Sequence, residues 1–230
     1  TDIHMPLMRY ARPALPMRLC IAVRRALWCL LWMLGAVPAG AAPLLLEDAT
    51  PIHDAWPYVQ VLSDPDRSID ADEALRRLAD FKPPASPHAG MGFRNDALWF
   101  HLPVAVPPGA SGRWVLEIDY ALLNRTDVFV AREGRTEHVA TMGSLLPFRD
   151  RPLGSRTPAV MLDLQPGQNT DILFRVDTRS SVIVPVKFLS PAAFHSHANH
   201  EFLLQGVLIA IGFCLLVFSV QQWINLKDAV

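Results

Sequence analysis

The chain has 230 residues, 51% of them apolar and 19% charged, with 21 basic against 22 acidic side chains. That composition excludes a disordered chain, and the lack of a basic excess excludes nucleic acid as a bulk electrostatic partner. Twenty prolines and twelve glycines favour many short, punctuated elements over long helical bundles.

Residues 1–16 carry no initiator Met at position 1 and are set aside as an over-extended start. Residues 17–41 read as a secretory signal. Arg18, Arg24 and Arg25 supply the basic region, ALWCLLWMLGAV the short apolar run, and Ala39-Gly40-Ala41 the small residues of a cleavage site. The apolar run is short against the roughly 20 residues a membrane-spanning helix needs. An exported chain starting near Ala42 follows.

Within 42–190 an early helix is predicted over 70–81. Asp70 followed by Glu73 is a capping-box start, Ala74, Leu75, Leu78 and Phe81 share one face, and Pro83-Pro84 ends it. Residues 85–96 then read as a polar, Gly-containing loop. From Leu98 onward alternation dominates. Leu98, Phe100, Leu102, Val104 and Val106 share a face, as do Trp114, Leu116, Ile118 and Tyr120 in the next run. Further runs cover Asp127 to Val130, Val139 to Met142, Val160 to Leu164, Ile172 to Val176 and Val182 to Leu189. Pro185 interrupts the last one and predicts an edge strand or a bulge. Pro107-Pro108-Gly109, Glu133-Gly134 and Pro166-Gly167 mark turns between them. About seven or eight short strands at this spacing predict a mainly β fold, an antiparallel β-sandwich.

Residues 191–201 form a juxtamembrane linker. Residues 202–226 contain no Asp, Glu, Lys or Arg, and as a helix they extend about 37 Å, against about 30 Å of hydrocarbon. Trp223 suits the headgroup interface, and residues 227–230 would lie on the cytoplasmic side. Gln205, Gln221, Gln222 and Asn225 prefer helix neighbours to lipid, so this span reads as one helix of a bundle. Cys20 and Cys29 fall in the signal and Cys214 in the span, so the exported domain has no cysteine and must be held by its core.

Leu46-Glu47-Asp48, the capped helix to Phe81, and the run Phe93-Arg94-Asn95-Asp96-Ala97-Leu98-Trp99-Phe100 come in a telling order. So do Trp114-Val115-Leu116-Glu117-Ile118, Asp127-Val128-Phe129-Val130, Met142-Gly143-Ser144, Pro147-Phe148-Arg149-Asp150-Arg151 and Ile172-Leu173-Phe174-Arg175-Val176. Together they resemble the second extracellular domain type of bacterial seven-transmembrane receptors with diverse intracellular signalling modules. Phe202-Leu203-Leu204-Gln205-Gly206 and Asn225-Leu226-Lys227-Asp228 resemble that family's first membrane helix. The resemblance implies a jelly-roll, carbohydrate-binding-like sandwich that senses a small molecule in the periplasm, anchored in the bacterial inner membrane. It also implies further membrane helices and a cytoplasmic histidine kinase or diguanylate cyclase. The chain departs in two ways: it carries only the first membrane helix, which reads as a fragment or truncated product, and no acidic residue follows Gly143.

Candidate ligand-binding residues are Trp99, as a sugar-stacking platform, and Arg149, Arg151, Arg156, Arg175 and Arg179, whose guanidinium forks suit carboxylates, phosphates and sugar hydroxyls. The competing reading makes Trp99 a core residue and pairs Arg175 with Glu117 or Asp119 across a sheet. His195, His197 and His200 are candidate metal ligands, set against a polar linker. No G-x-S-x-G or H-E-x-x-H motif and no Gly-rich phosphate loop occurs, so no enzyme activity and no cofactor are expected. The expected partners are a small-molecule ligand, carbohydrate among the candidates, the membrane, the remaining receptor parts, and a second copy if the receptor is a homodimer. Alternatives are a membrane-anchored binding module with no signalling role, and an exported hydrolase.

Overall fold

A computed structural model describes residues 42–86 and 88–227, with side chains of 197–203 and 226–227 left out of the description. The signal at 17–41, the stretch 1–16 and residues 228–230 lie outside the described residues.

Twelve strands, one short α-helix, one long α-helix and three 3-10 turns are found among the described residues. The first half contributes β1 (Leu44–Leu45), β2 (Ile52–Asp54), β3 (Gln60–Asp64), α1 (Ala71–Arg76), β4 (Gly90–Phe93), β5 (Ala97–Ala105) and β6 (Arg113–Ile118). The second half contributes β7 (Arg125–Arg132), β8 (Arg135–Met142), β9 (Ala159–Asp163), β10 (Asn169–Asp177), β11 (Ser181–Ile183), β12 (Val186–Leu189) and α2 (Pro191–Lys227).

Two sheets face each other. The first runs β1-β5-β10-β7-β8 with β3 also on β5; the second runs β2-β12-β6-β9; β11 and β4 form a separate ladder. Pairing is antiparallel throughout, except that β1 meets β5 in parallel over two residues. The alternation explains why the sheets stack: residues two apart along a strand share a face. Leu98, Phe100, Leu102 and Val104 of β5 and Phe174 of β10 meet Trp114, Leu116 and Ile118 of β6 in one buried cluster. Phe100 stacks on Phe174, its register partner, with centroids 4.8 Å apart and planes within 3°. The chain is a mainly β sandwich, as its periodicity predicts.

Several elements differ from the sequence reading. Asp70 caps α1 as expected, accepting from the Glu73 N–H at 2.7 Å, but the α-helix stops at Arg76 and a 3-10 turn, Leu78–Asp80, follows. Phe81 is therefore extended, yet it still joins Ala74, Trp99 and Leu173 in a second apolar cluster on the outer face of the first sheet. The stretch 85–96 contains β4. The strands β1, β2 and β3 precede the first alternating run and are too short to show a period. Pro185 makes neither an edge nor a bulge in a single strand. It lies between β11 and β12, where the chain passes from the small ladder into the middle of the second sheet, between β2 and β6. Without an N–H, Pro185 suits that crossing, and its carbonyl accepts from Asp119 N–H at 3.0 Å.

The sandwich has two distinct ends. At the hairpin end lie the loops 106–112, 133–134 and 164–168; at the arginine end lie 93–96, 119–124, 143–158 and 178–180.

Candidate functional site

Four of the arginines singled out from sequence, Arg149, Arg151, Arg156 and Arg179, lie in loops at the arginine end, and of these Arg151 and Arg156 share a crevice. Arg151 is fixed by its own loop: Nη1 donates to the carbonyls of Ser155 at 3.1 Å and Arg156 at 3.2 Å, and its guanidinium lies 5.6 Å above the Phe148 ring. Its Nε is buried without a hydrogen-bond partner among the described residues. Arg151 and Arg156 line a crevice with Ala121, Met142 and Gly143 of only about 10 Å³, room for about one water. Arg149 points outward, 86% exposed and 3.6 Å from Asp150. Arg179 is exposed, and its backbone N–H donates to Asn124 Oδ1 at 2.7 Å.

Arg175 sits further in, on the outer face of the first sheet, opposite Trp99 on one side and Asp127 on the other. It has no pairing with Glu117 or Asp119, because β10 is flanked by β5 and β7 while β6 belongs to the other sheet. Glu117 instead accepts from Thr157 Oγ1 at 2.6 Å, and Lys187 Nζ donates to Asp119 at 2.8 Å. Asp127 is held by Arg125 and Thr141. Trp99 is 1% exposed, packed in the cluster with Ala74 of α1 and tilted 5.6 Å from Phe129. It presents no face to solvent.

His195 is exposed and lies edge-on to Phe194 at 5.9 Å, while the side chains of His197 and His200 lie outside the described residues. Among the described residues no group of three His, Cys, Asp or Glu side chains is placed to hold a metal.

Among the described residues, the cleft of greatest volume described is one that sequence reasoning missed. At the hairpin end a cleft of about 540 Å³ is lined by Arg132, Glu133, Asp163, Gln165, Gln168, Asn169 and Thr170, with Val130, Ala131 and Leu164 as its apolar floor. Arg132 braces it, with Nη2 donating to the Asp163 carbonyl at 3.2 Å and Nε 3.3 Å from Glu137. Arg113 lies 3.6 Å from the Asp163 carboxylate on the opposite side. Its volume falls in the range of small-molecule pockets, roughly 300–1,000 Å³, and its polar rim offers both donors and acceptors. None of the arginines singled out from sequence lines it. The only sequence signal was that Glu133-Gly134 and Pro166-Gly167 are both turns.

A second opening, about 340 Å³, runs beside Pro83 and Pro84 past Ser63, Lys82 and Arg94. Its wall is held by a fork: Arg94 Nη2 and Nε donate to the two Asp96 oxygens at 2.7 and 2.9 Å, and Ser63 donates to the same carboxylate. Arg94 and Ser63 lower the Asp96 pKa from 3.8 to about 2. A carboxylate depressed in the folded state contributes stability above its unfolded pKa and loses it as pH falls through the folded one. Asp96→Asn is therefore expected to destabilise the domain at neutral pH, with the difference from wild type shrinking between about pH 4 and pH 2. Denaturant unfolding across that window measures it; a difference constant down to pH 2 would contradict it.

Residues 56–190 match the family described as 7TMR-DISM extracellular 2. The chain belongs to that family. The match ends one residue before α2 begins, and α2 carries an apolar stretch, Leu204–Asn225, of 22 residues with mean hydropathy 2.1. A domain of the 7TMR-DISM extracellular 2 family followed by a helix long and apolar enough to cross a membrane fits a membrane-anchored protein. A search of curated proteins finds no match. Among solved structures, the chain is similar to a Ruminococcus gnavus beta-glucuronidase bound to uronic isofagomine, at 10% identity and a TM-score of 0.40, covering 65% of this chain and 30% of that one. It is also similar to a putative beta-galactosidase from Bacteroides fragilis, at 12% identity and a TM-score of 0.38, covering 60% of this chain and 22% of that one. The chain thus spans less than a third of the length of either enzyme. Beyond the residues matched by the 7TMR-DISM extracellular 2 family, the stretch 191–201, read from sequence as a linker, is helical and continuous with the apolar span.

Proposed function

We propose that the chain is the periplasmic ligand-sensing portion of a signalling receptor in the bacterial inner membrane. The output module, a histidine kinase or diguanylate cyclase, would follow further membrane helices absent from this chain. The ligand is a small polar molecule, a carbohydrate among the candidates, held in the hairpin-end cleft. The observation that carries this reading is the cleft itself: about 540 Å³, rimmed by Arg132, Glu133, Asp163, Gln168, Asn169 and Thr170. Amide and carboxylate side chains in such number can satisfy the hydroxyls of a sugar, each contributing about 0.5–1.5 kcal/mol net. The arginine-end crevice of about 10 Å³ has no comparable room.

Ligand binding acts on a receptor only by favouring one of two arrangements of the protein. The cleft is formed by the β7–β8 hairpin and the loop after β9, and β9 pairs with β6, whose Val115 packs in the cluster that holds Phe194 of α2. A change in the cleft therefore has a packed route to the membrane helix.

The test is calorimetric titration of the full chain in detergent with neutral and acidic monosaccharides. Gln168→Ala with Asn169→Ala should weaken binding at least about ten-fold, equivalent to about 1.4 kcal/mol, while Arg151→Ala leaves it unchanged. Binding that survives the cleft substitutions and is lost in Arg151→Ala would move the site to the arginine end; no binding by any sugar would remove the carbohydrate assignment.

A further inference from the structure

The hairpin that forms one wall of the cleft is closed by a residue its turn does not favour. Glu133 and Gly134 are the two residues between the paired Arg132 and Arg135, and both have positive φ, +52° and +75°. That is the type I′ pattern, which Asn-Gly, Asp-Gly or Gly-Gly adopt with least strain, whereas a glutamate gains nothing from it locally. Among the described residues one other non-glycine, Arg67, has positive φ. Arg67 has partners in the protein: its guanidinium donates to the Asn95 carbonyl at 3.1 Å and lies 3.4 Å from Asp177. Glu133 has none. It is exposed and makes no hydrogen bond or ion pair with any described residue, yet it lines the cleft of about 540 Å³.

The other charges around the cleft are already matched. Arg132 donates to the Asp163 carbonyl at 3.2 Å and lies 3.3 Å from Glu137, and Arg113 lies 3.6 Å from the Asp163 carboxylate. Arg135 does not line the cleft, and its charge bears on Asp72 of α1. What remains is one carboxylate without a counter-ion, beside the neutral side chains of Gln165, Gln168, Asn169 and Thr170. An anionic ligand would have to take an arginine from its carboxylate to find a cation, a built-in bias against it. A metal ion is no better served, because no group of three His, Cys, Asp or Glu among the described residues could hold one. A protonated amine brings N–H donors and a positive charge to Glu133, while amides and a hydroxyl suit the hydroxyls of the same molecule.

We propose that the cleft selects ligands that carry an ammonium group on a polyhydroxylated frame, the chemistry of an amino sugar with its nitrogen free, and that Glu133 is the selecting residue. This rests on the reading of the cleft as the ligand site and adds the charge class of what enters it. The left-handed conformation at position 133 is kept for where it holds the carboxylate, at the lip of the cleft, and not for the stability of the hairpin.

The test is calorimetric titration of the full chain in detergent with glucosamine, N-acetylglucosamine, glucose and glucuronate, at about pH 6, where amine and carboxylate are both charged. Glucosamine should bind at least about five-fold more tightly than the other three, an advantage that shrinks with added salt. Glu133→Gln, which keeps the length of the side chain, should bring glucosamine and glucose to the same affinity. Glu133→Asn should do the same and also raise the thermal midpoint, since asparagine suits the turn better than glutamate. No binding by any of the four would overturn the cleft as a sugar site and this inference with it. Glucose binding that Gln168→Ala with Asn169→Ala weakens, with no preference for glucosamine, would overturn the ammonium assignment alone. So would a preference for glucuronate, or a glucosamine preference that survives Glu133→Gln. A lower midpoint in Glu133→Asn would overturn the reading of the turn.

Discussion

Phe100→Ala is expected to destabilise residues 42–190 by about 3–5 kcal/mol, enough to unfold a domain of ordinary stability. Phe100 has no exposed surface, and its ring lies flat on Phe174 at 4.8 Å. The position is central: on either side of β5, its register partners are Val61 of β3 and Phe174 of β10. Truncation removes the transfer energy of a benzyl group and leaves a cavity that two rigid sheets cannot close. Phe93→Ala, on a side chain that is 83% exposed, should change stability by no more than about 0.5 kcal/mol. Denaturant unfolding of the two variants, followed by tryptophan fluorescence, measures the contrast. Equal effects would mean that the stacked pair is not where the core is held.

Gly143→Ala should cost about 2 kcal/mol or more, through the backbone rather than the core. Gly143 has φ +134°, a conformation L residues rarely adopt, and a Cβ there would lie 2.3 Å from the Asn124 carbonyl oxygen and 2.8 Å from its carbon. Neither atom can rotate away. The same contact lets Ser144 N–H donate to Leu123 at 2.7 Å and Leu145 N–H to Asn124 at 3.2 Å, joining two arginine-end loops. Alanine would push them apart and carry Leu145, Phe148 and Arg149 with them. Gly109 is the control: its φ is +87°, but a Cβ there meets nothing within 4 Å. Gly109→Ala should therefore cost only the conformational part, about 1 kcal/mol. Thermal unfolding of both distinguishes close approach from torsional preference; indistinguishable midpoints would show that the Asn124 loop yields.

The difference between those two glycines is invisible in sequence, where each is simply a glycine beside a turn. The same division runs through the whole protein. Alternation is a local property of a strand, so Leu98, Phe100 and Leu102, or Trp114, Leu116 and Ile118, announce a buried face before any partner is known. The Asp70 cap and the uncharged apolar run before Lys227 are equally local, one a matter of three residues' spacing and the other of composition. Even the family was legible, because it is carried by the order of such segments along the chain.

Everything that depends on which strands become neighbours was decided by tertiary structure. Trp99 lies on the face opposite Phe100, and it is buried in a cluster with Ala74 of α1, Phe81, Leu173 and Phe129. Arg175 has β5 and β7 beside it rather than β6, which removes Glu117 and Asp119 as partners. The cleft unites residues 130–133 with residues 163–170, brought together by the pairing of β7 with β10 and by the hydrogen bond from Arg132 to Asp163. The arginine end gathers Phe93, Leu122, Leu145 and Phe148 from three separate loops because the strands alternate in direction. Periodicity states which side of a strand is apolar; register and sheet order, set by long-range packing, decide what that side and its opposite come to touch.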